Sequence, residues 1–162
     1  MTTEKSLIDS ALRGWKFNVE RADKLFGDLS AKQLEQEVAP GRNRLICIWG
    51  HLAAVNDRLL PLLGIGERLH PEFDVMFISN PDKSAPLTVS KQSLKAAWQE
   101  INQKLSEGFA KFSDSDWAQR HTAVSVEDFE REPHRNRFGV LLGRTAHLAY
   151  HLGQAALARP SA

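Results

Sequence analysis

Two histidines stand four residues apart in the mostly apolar stretch TAHLAYHLGQ. On a helix, residues four apart project from the same face, so the imidazoles of His147 and His151 can reach one point. Imidazole is a common ligand of divalent transition metals, and a third histidine from another helix would complete a site with one open position. His51 fits that place because it lies within the apolar segment IWGHLAAVNDRLL. The spacing therefore predicts a metal site formed by His51, His147 and His151.

The alternative interpretation is a set of ordinary core histidines, each hydrogen-bonded to a partner of its own. Three partly polar rings in an apolar interior would need three separate partners, whereas one cation would satisfy all of them. Spacing alone leaves both interpretations open, because His-x-x-x-His also occurs by chance. The remaining histidines, His70, His121 and His134, fall in predicted connections, where a histidine is by default a surface residue.

Two well-known metal patterns do not match this sequence. A zinc protease needs a glutamate directly after the first histidine of the pair, and this chain has Leu148 there. A di-iron carboxylate bundle needs two Glu-x-x-His units on helices, and the match here, from Glu67 to His70, lies in a segment rich in glycine and proline. The chain also lacks GxxxxGK[ST] and GxGxxG strings, so a phosphate-binding loop of either kind has no basis.

Two further side chains are candidates for substrate binding. Cys47 precedes His51 by one helical turn, and it could be a fourth ligand, a reactive thiol or a small buried hydrophobe. Arg144 precedes His147 by three residues, and it could bind an anionic substrate near the metal or form an ordinary salt bridge. Both residues are predicted as substrate-binding candidates, with these alternatives open.

Four segments that would position these residues have apolar side chains at steps of three and four, the spacing of one helix face. They are residues 7–26, 43–63, 90–112 and 136–158. Pro61 should kink or shorten the second segment, and the fourth is apolar nearly all round, which predicts burial on most sides. Residues 64–89 contain three prolines and no sustained period, so we expect an ordered crossover or lid there.

Shorter elements are predicted where the sequence has the signature of a capping box. In LSAKQL and FSDSDW, Ser30 and Ser113 can cap a short helix or tight turn that follows a long helix. No stretch shows the sustained alternation of a strand. These patterns predict an all-α fold, a four-helix bundle with long crossover connections, in a single domain over residues 1–162.

The composition indicates an ordinary globular protein. Of the 162 residues, 42% are hydrophobic and 25% are charged, and the net charge is only +1. Because no basic field of the kind that captures phosphate backbones is present, we expect no nucleic-acid partner. No window is apolar enough to cross a membrane, and the start of the chain does not resemble a secretory signal. With a single cysteine, these features predict a cytoplasmic protein. The open position of the predicted metal site is where a small-molecule substrate would bind.

Several motifs in combination resemble the DinB-like superfamily, also called DinB/YfiT-like metalloenzymes. They are the segment WGHLAAVNDRLL, the string AHLAYHLGQAALAR, and the phrases LSAKQL and LLGIGE. The resemblance implies a four-helix bundle that holds nickel or zinc through three histidines, which match His51, His147 and His151. It also implies homodimers, and reactions that include transferases and isomerases dependent on a low-molecular-weight thiol.

The leading hypothesis is therefore a metalloenzyme whose ion activates a water or a thiol as nucleophile. By the resemblance, a thiol-dependent S-transferase is favoured over a metal-dependent hydrolase. Leu148 leaves no obvious general base beside the metal, which weighs against a specific hydrolytic assignment. The other hypotheses are a non-enzymatic bundle or binding module stiffened by its metal, and a histidine cluster that holds no ion.

Overall fold

The structure is a computed structural model that describes residues 3–158, and over these residues the chain is all-helical, as predicted. The α-helices, in chain order, are α1 (Thr3–Asp28), α2 (Ala31–Leu34), α3 (Leu45–Asp57), α4 (Leu59–Leu62), α5 (Lys91–Phe109), α6 (Asp114–Ala118), α7 (Val126–Arg131) and α8 (Arg137–Leu157). A π-helical segment, Val75–Ser79, lies between α4 and α5. Two isolated bridges, Glu37 with Arg44 and Arg120 with Asn136, join connecting segments.

The four predicted long helices correspond to α1, α3, α5 and α8. The second ends early, at Asp57, and the chain continues into the short α4, which contains Pro61. Both predicted capping boxes are present: the Ser30 and Ser113 side chains accept from the third residue of α2 and α6 respectively. Short α7 was not predicted, because its exposed sequence has no apolar period, although Ser125 caps it.

The long helices pack around one core. The most extensive helix contact is between α1 and α8, and α3 packs against both α5 and α8. Large aromatic residues fill the centre: the Phe26 ring of α1 stacks on Trp49 of α3, with centroids 5.4 Å apart. The indole N–H of Trp98 on α5 donates to Asp23 on α1 at 2.7 Å. Because α3 and α8 are in contact, their facing side chains can form one site.

The prediction that α8 is buried on most sides is wrong. Its fully buried residues are Leu141, Leu148, Leu152 and Ala155, whereas its exposed residues form a second apolar face. Hydrophobic period alone cannot distinguish a helix surrounded by protein from one whose outer face is also apolar. Within residues 3–158, no helix is both long and apolar enough to cross a membrane.

The predicted crossover at residues 64–89 is ordered and contacts α3. Its VMFI string, too short for a sheet strand, lies in the π-helical segment that packs on α3. Buried Phe77 anchors this segment in the core. The crossover therefore reaches the middle of the helix that carries His51.

Candidate metal centre

The structure brings the three predicted histidines together in one cluster. His147 Nε2 lies 3.3 Å from His51 Nε2 and 3.2 Å from His151 Nε2. Each residue can offer one ligand atom so that all three atoms lie within 4.8 Å of one another. All three side chains are half-buried, between α3 and α8. A one-turn spacing on α8 and a contact with α3 thus produce the expected convergence.

Two of the rings are oriented by partners on their other nitrogen. His51 Nδ1 lies 3.2 Å from the carbonyl oxygen of Phe77, and His151 Nδ1 lies 2.9 Å from Gln154 Oε1. Because a carbonyl oxygen only accepts, each Nδ1 must carry the proton. In the neutral rings, Nε2 then presents its lone pair to the centre of the cluster. Gln154 Nε2 donates to the Tyr150 hydroxyl at 3.0 Å, which holds the amide in this orientation.

A shared cation accounts for the positions of the three Nε2 atoms better than hydrogen bonds among the rings do. With lone pairs on Nε2 of both His51 and His151, a proton on His147 Nε2 could satisfy only one of them. Ligands about 2.0–2.1 Å from a tetrahedral ion lie about 3.3 Å apart, which matches the two short Nε2 separations. The arrangement could therefore hold a divalent transition metal through three neutral imidazoles.

The surroundings keep these imidazoles neutral. Burial lowers the pKa of His51, His147 and His151. For His147, the charge that either of the other two histidines would carry when protonated, and the charge of Arg144, add to burial, and the pKa falls to about 4. Since only a neutral imidazole binds a metal, all three lone pairs are available at neutral pH.

Cys47 and the carboxylates lie outside this cluster in the described part of the chain. The Cys47 thiol donates to Asp82 Oδ1 at 2.9 Å, and burial and then Asp82 raise the pKa of the thiol to about 12. Arg44 also donates to Asp82, through its backbone N–H at 2.7 Å and Nη2 at 2.6 Å. Burial alone would raise the pKa of Asp82, but these hydrogen bonds outweigh it and lower that pKa to about 2.

Arg144 is a half-buried cation beside the histidines. No carboxylate pairs with it within residues 3–158, so the ordinary salt bridge that was one interpretation is not formed. Burial, and then the charge of Arg58, lower the pKa of its guanidinium. In addition to burial, its positive charge lowers the pKa of both His51 and His147. This side of the cluster is therefore electropositive.

Two cavities open beside the histidines, and Asn43 lines both. The larger, of about 620 Å³, has His151 in its wall, and it is also lined by Val38, Arg42, Ile48, Tyr150 and Gln154. The smaller, of about 360 Å³, lies between α3 and the crossover, and its wall includes His51, Cys47, Phe77 and Asp82. Small molecules therefore have room on both sides of the cluster.

Sequence reasoning missed the residues that support the cluster. Phe77 contributes a backbone carbonyl, for which a sequence has no signal. Gln154 follows His151 by three residues, so helical spacing could have revealed that contact. His70, by contrast, contacts Glu72 and Glu100 away from the cluster, and His121 and His134 lie in connections, as predicted.

Comparison with known proteins identifies the family. None of the curated proteins compared with this chain matches it. The sequence profile of the DinB superfamily matches residues 15–155, which include all three histidines and every long helix in whole or large part. The chain belongs to the DinB superfamily.

Proposed function

We propose that this protein is a metal-dependent enzyme that uses the cluster of His51, His147 and His151 to activate a nucleophile. The observation that carries the proposal is the convergence of three imidazole nitrogens at about the spacing of tetrahedral ligands. No fourth side chain among the described carboxylates and Cys47 joins them, so a coordination position is left for a water or a substrate. Such an open position is typical of catalytic rather than structural zinc sites.

The bound ion, nickel or zinc in our proposal, would supply Lewis acidity that lowers the pKa of a water or thiol ligand. The chain itself orients the ligands: Phe77 and Gln154 accept the Nδ1 protons of His51 and His151 and so aim their lone pairs inward. A thiol-dependent S-transferase is the reaction we favour, with a low-molecular-weight thiol as co-substrate. Thiol transfer, in which the thiol ionises on the metal, needs less assistance from a general base than hydrolysis does. The cluster contains no carboxylate that could act as such a base.

The second substrate, in this proposal, carries an anionic group that binds Arg144. A half-buried guanidinium without a carboxylate partner among the described residues favours an anion, and the charge of the ion would reinforce that preference. The larger cavity suits an amphipathic molecule, because apolar Val38 and Ile48 line it together with Arg42 and His151. Cys47, whose thiol is bound to Asp82, has a structural role beside the smaller cavity.

Metal analysis of protein purified without a histidine tag tests the ion site directly. We expect close to one equivalent of nickel or zinc per chain after both ions are offered, and a loss of at least about 100-fold in affinity in His147→Ala. His134→Ala, which removes an exposed histidine in a connection, is the matched control and should bind as the wild type does. Less than about a tenth of an equivalent in the wild type would end the proposal.

Model substrates then separate the two reactions. Glutathione with an aryl chloride reports thiol transfer, and a nitrophenyl ester without thiol reports hydrolysis. We expect metal-dependent consumption of the thiol that is lost in His147→Ala and reduced in Arg144→Met when the electrophile carries a carboxylate. Ester hydrolysis that matches or exceeds thiol transfer would favour the hydrolase instead. An ion that binds tightly while neither probe reacts would favour a non-enzymatic, metal-stiffened module.

A further inference from the structure

Residues 68–82 of the crossover, here called the strap, are attached to both ends of α3. At the C-terminal end, the fully buried Asp57 carboxylate accepts from Arg68 Nε at 2.7 Å and from the Leu69 backbone N–H at 2.8 Å. At the N-terminal end, Arg44 donates to Asp82, whose side chain is only 5% exposed. One helix therefore holds the strap at two points about its own length apart.

Between these attachments, the strap comes exceptionally close to α3. The Phe77 ring lies against Gly50, and a Cβ atom at Gly50 would overlap that ring. Gly50 is the residue directly before His51, so the close approach brings the Phe77 carbonyl to His51 Nδ1, 3.2 Å away. The carbonyl belongs to the π-helical segment Val75–Ser79, and π-helical turns are frequent at functional sites.

The Phe77 carbonyl can act on His51 in two ways. As an acceptor, it favours the tautomer with the proton on Nδ1, which leaves the Nε2 lone pair for an ion. As part of a segment fixed at both ends, it also restricts rotation of the ring. Outer partners of this kind commonly change metal affinity by about 10–100-fold when they are lost. The equivalent partner of His151, Gln154, lies on the same helix and needs no strap.

We propose that Phe77, carried by the strap, is a positioning residue for His51, and that docking of the strap and binding of the ion stabilise each other. This inference rests on the proposed function, because it takes the histidine cluster as the ion site. The coupling between the two equilibria is reciprocal. If the docked strap increases the affinity of the cluster for the ion by some factor, the bound ion stabilises the docked strap by the same factor.

The first test is a substitution that moves the strap without touching a histidine. In Gly50→Ala, the new methyl group displaces the Phe77 ring, while alanine remains a good helix former. We expect zinc affinity, measured by competition with a chelator, to fall by about 10-fold or more. Gly108→Ala is the matched control, since its Cβ would lie 2.6 Å from Ile65, a crossover residue outside the strap. Its zinc affinity should stay within about threefold of the wild type.

A rescue variant distinguishes positioning from general damage to the fold. Phe77→Ala removes the ring but keeps the carbonyl, so Gly50→Ala/Phe77→Ala should bind zinc within about threefold of Phe77→Ala alone. Equal zinc affinity in Gly50→Ala and the wild type would overturn the inference, as would an equal loss in Gly108→Ala. Zinc affinity in Gly50→Ala/Phe77→Ala that is more than about threefold weaker than in Phe77→Ala alone would also overturn it.

A spectroscopic readout without metal keeps the inference separate from the proposed function. Nitrogen-15 NMR of the histidine rings should show the Nδ1–H tautomer for His51 in the wild type and in Gly108→Ala. In Gly50→Ala, the population should shift toward Nε2–H. If the wild type binds no ion, the proposed function fails, while an unchanged His51 tautomer in Gly50→Ala would by itself refute the positioning role.

Discussion

The histidines of the cluster differ in how they are held. His151 depends on Gln154, a neighbour on its own helix, whereas His51 depends on a carbonyl from a distant segment. The orientation of His151 therefore forms with α8 itself, and the orientation of His51 requires tertiary structure. A substitution elsewhere that perturbs the tertiary structure should therefore disturb the ring orientation of His51 before that of His151.

The low pKa of His147 predicts a pH-dependent stability for the metal-free protein. In the unfolded chain an imidazole titrates near pH 6.5, whereas burial and then the neighbouring positive charges lower the pKa of His147 to about 4 in the folded state. As the pH falls from about 6.5 toward about 4, the unfolded state takes up the proton first, so stability decreases. Urea unfolding should show a smaller decrease in His147→Gln than in the wild type. His134→Gln, the control, should keep the wild-type slope, and an unchanged slope in His147→Gln would contradict the prediction.

The buried carboxylate of Asp57 should be among the most sensitive positions for stability. It accepts from Arg68 Nε and from the backbone N–H groups of Leu69 and His70. In Asp57→Asn, an amide N–H₂ would face a donor and Arg68 would keep only Asp74 as a carboxylate partner, a loss of about 1–3 kcal/mol. Denaturant unfolding measures this change. Glu72→Gln, on an exposed side chain of the same segment, should change stability by less than about 0.5 kcal/mol.

The elements divide into those that local sequence determines and those that need distant contacts. Helix α8 begins where Asn136 Oδ1 accepts from the Gly139 backbone N–H at 2.7 Å, a cap that a short sequence can specify. The strap, in contrast, is held by hydrogen bonds to residues 12 and 38 positions away along the chain. Its position could not be read from periodicity, because nothing in residues 68–82 repeats.

Loss of the α8 cap should lower stability without affecting the ion site. Asn136→Ala removes the acceptor for the Gly139 N–H and should cost about 1 kcal/mol, read as a lower melting temperature. Asn136→Ser, which can still cap, should lose clearly less. Both variants should keep wild-type zinc affinity, since His147 lies three turns along the helix. A large loss of zinc affinity in Asn136→Ala would show that the helix frays as far as the cluster.

The histidine cluster could be predicted from the sequence because residue spacing determines which side chains share one face of a helix. The His147–His151 pair and the apolar surroundings of His51 were enough to predict the cluster, because helical spacing and helix contacts impose convergence. Phe77, Asp57 and Asp82 were missed, since their roles depend on a carbonyl and on long-range hydrogen bonds. The outer face of α8 was misjudged because an apolar residue does not reveal what covers it.

For the molecule as a whole, the exposed face of α8 is the most unusual surface feature. Every exposed residue of this helix is uncharged, and the face includes Leu142 at 47%, Tyr150 at 64% and Leu157 at 89% exposure. Small residues at Ala146 and Gly153 lie between them on the same face. Such contiguous apolar surface is typical of protein interfaces. We propose that this face is the contact between the two chains of the homodimer that the family resemblance implies.

Light scattering after size-exclusion chromatography tests that dimer. We expect the mass of two chains for the wild type, and a shift toward one chain in Leu142→Glu, because a charge would be buried without a partner. Val126→Glu, at an exposed apolar residue of α7, is the control and should leave the mass unchanged. A wild-type mass of one chain at micromolar concentration, or no effect of Leu142→Glu, would contradict the prediction.

The double attachment of the strap to α3 also bears on how this protein could be re-engineered. A helix of 13 residues, with its N-cap Arg44, carries both anchor points, the glycine contact and one histidine, so most changes there would alter several functions together. Val38 and Ala39 line the larger cavity and belong neither to α3, nor to the strap, nor to the exposed face of α8. A library restricted to these two wall positions would be the economical starting point for accepting bulkier or differently shaped compounds.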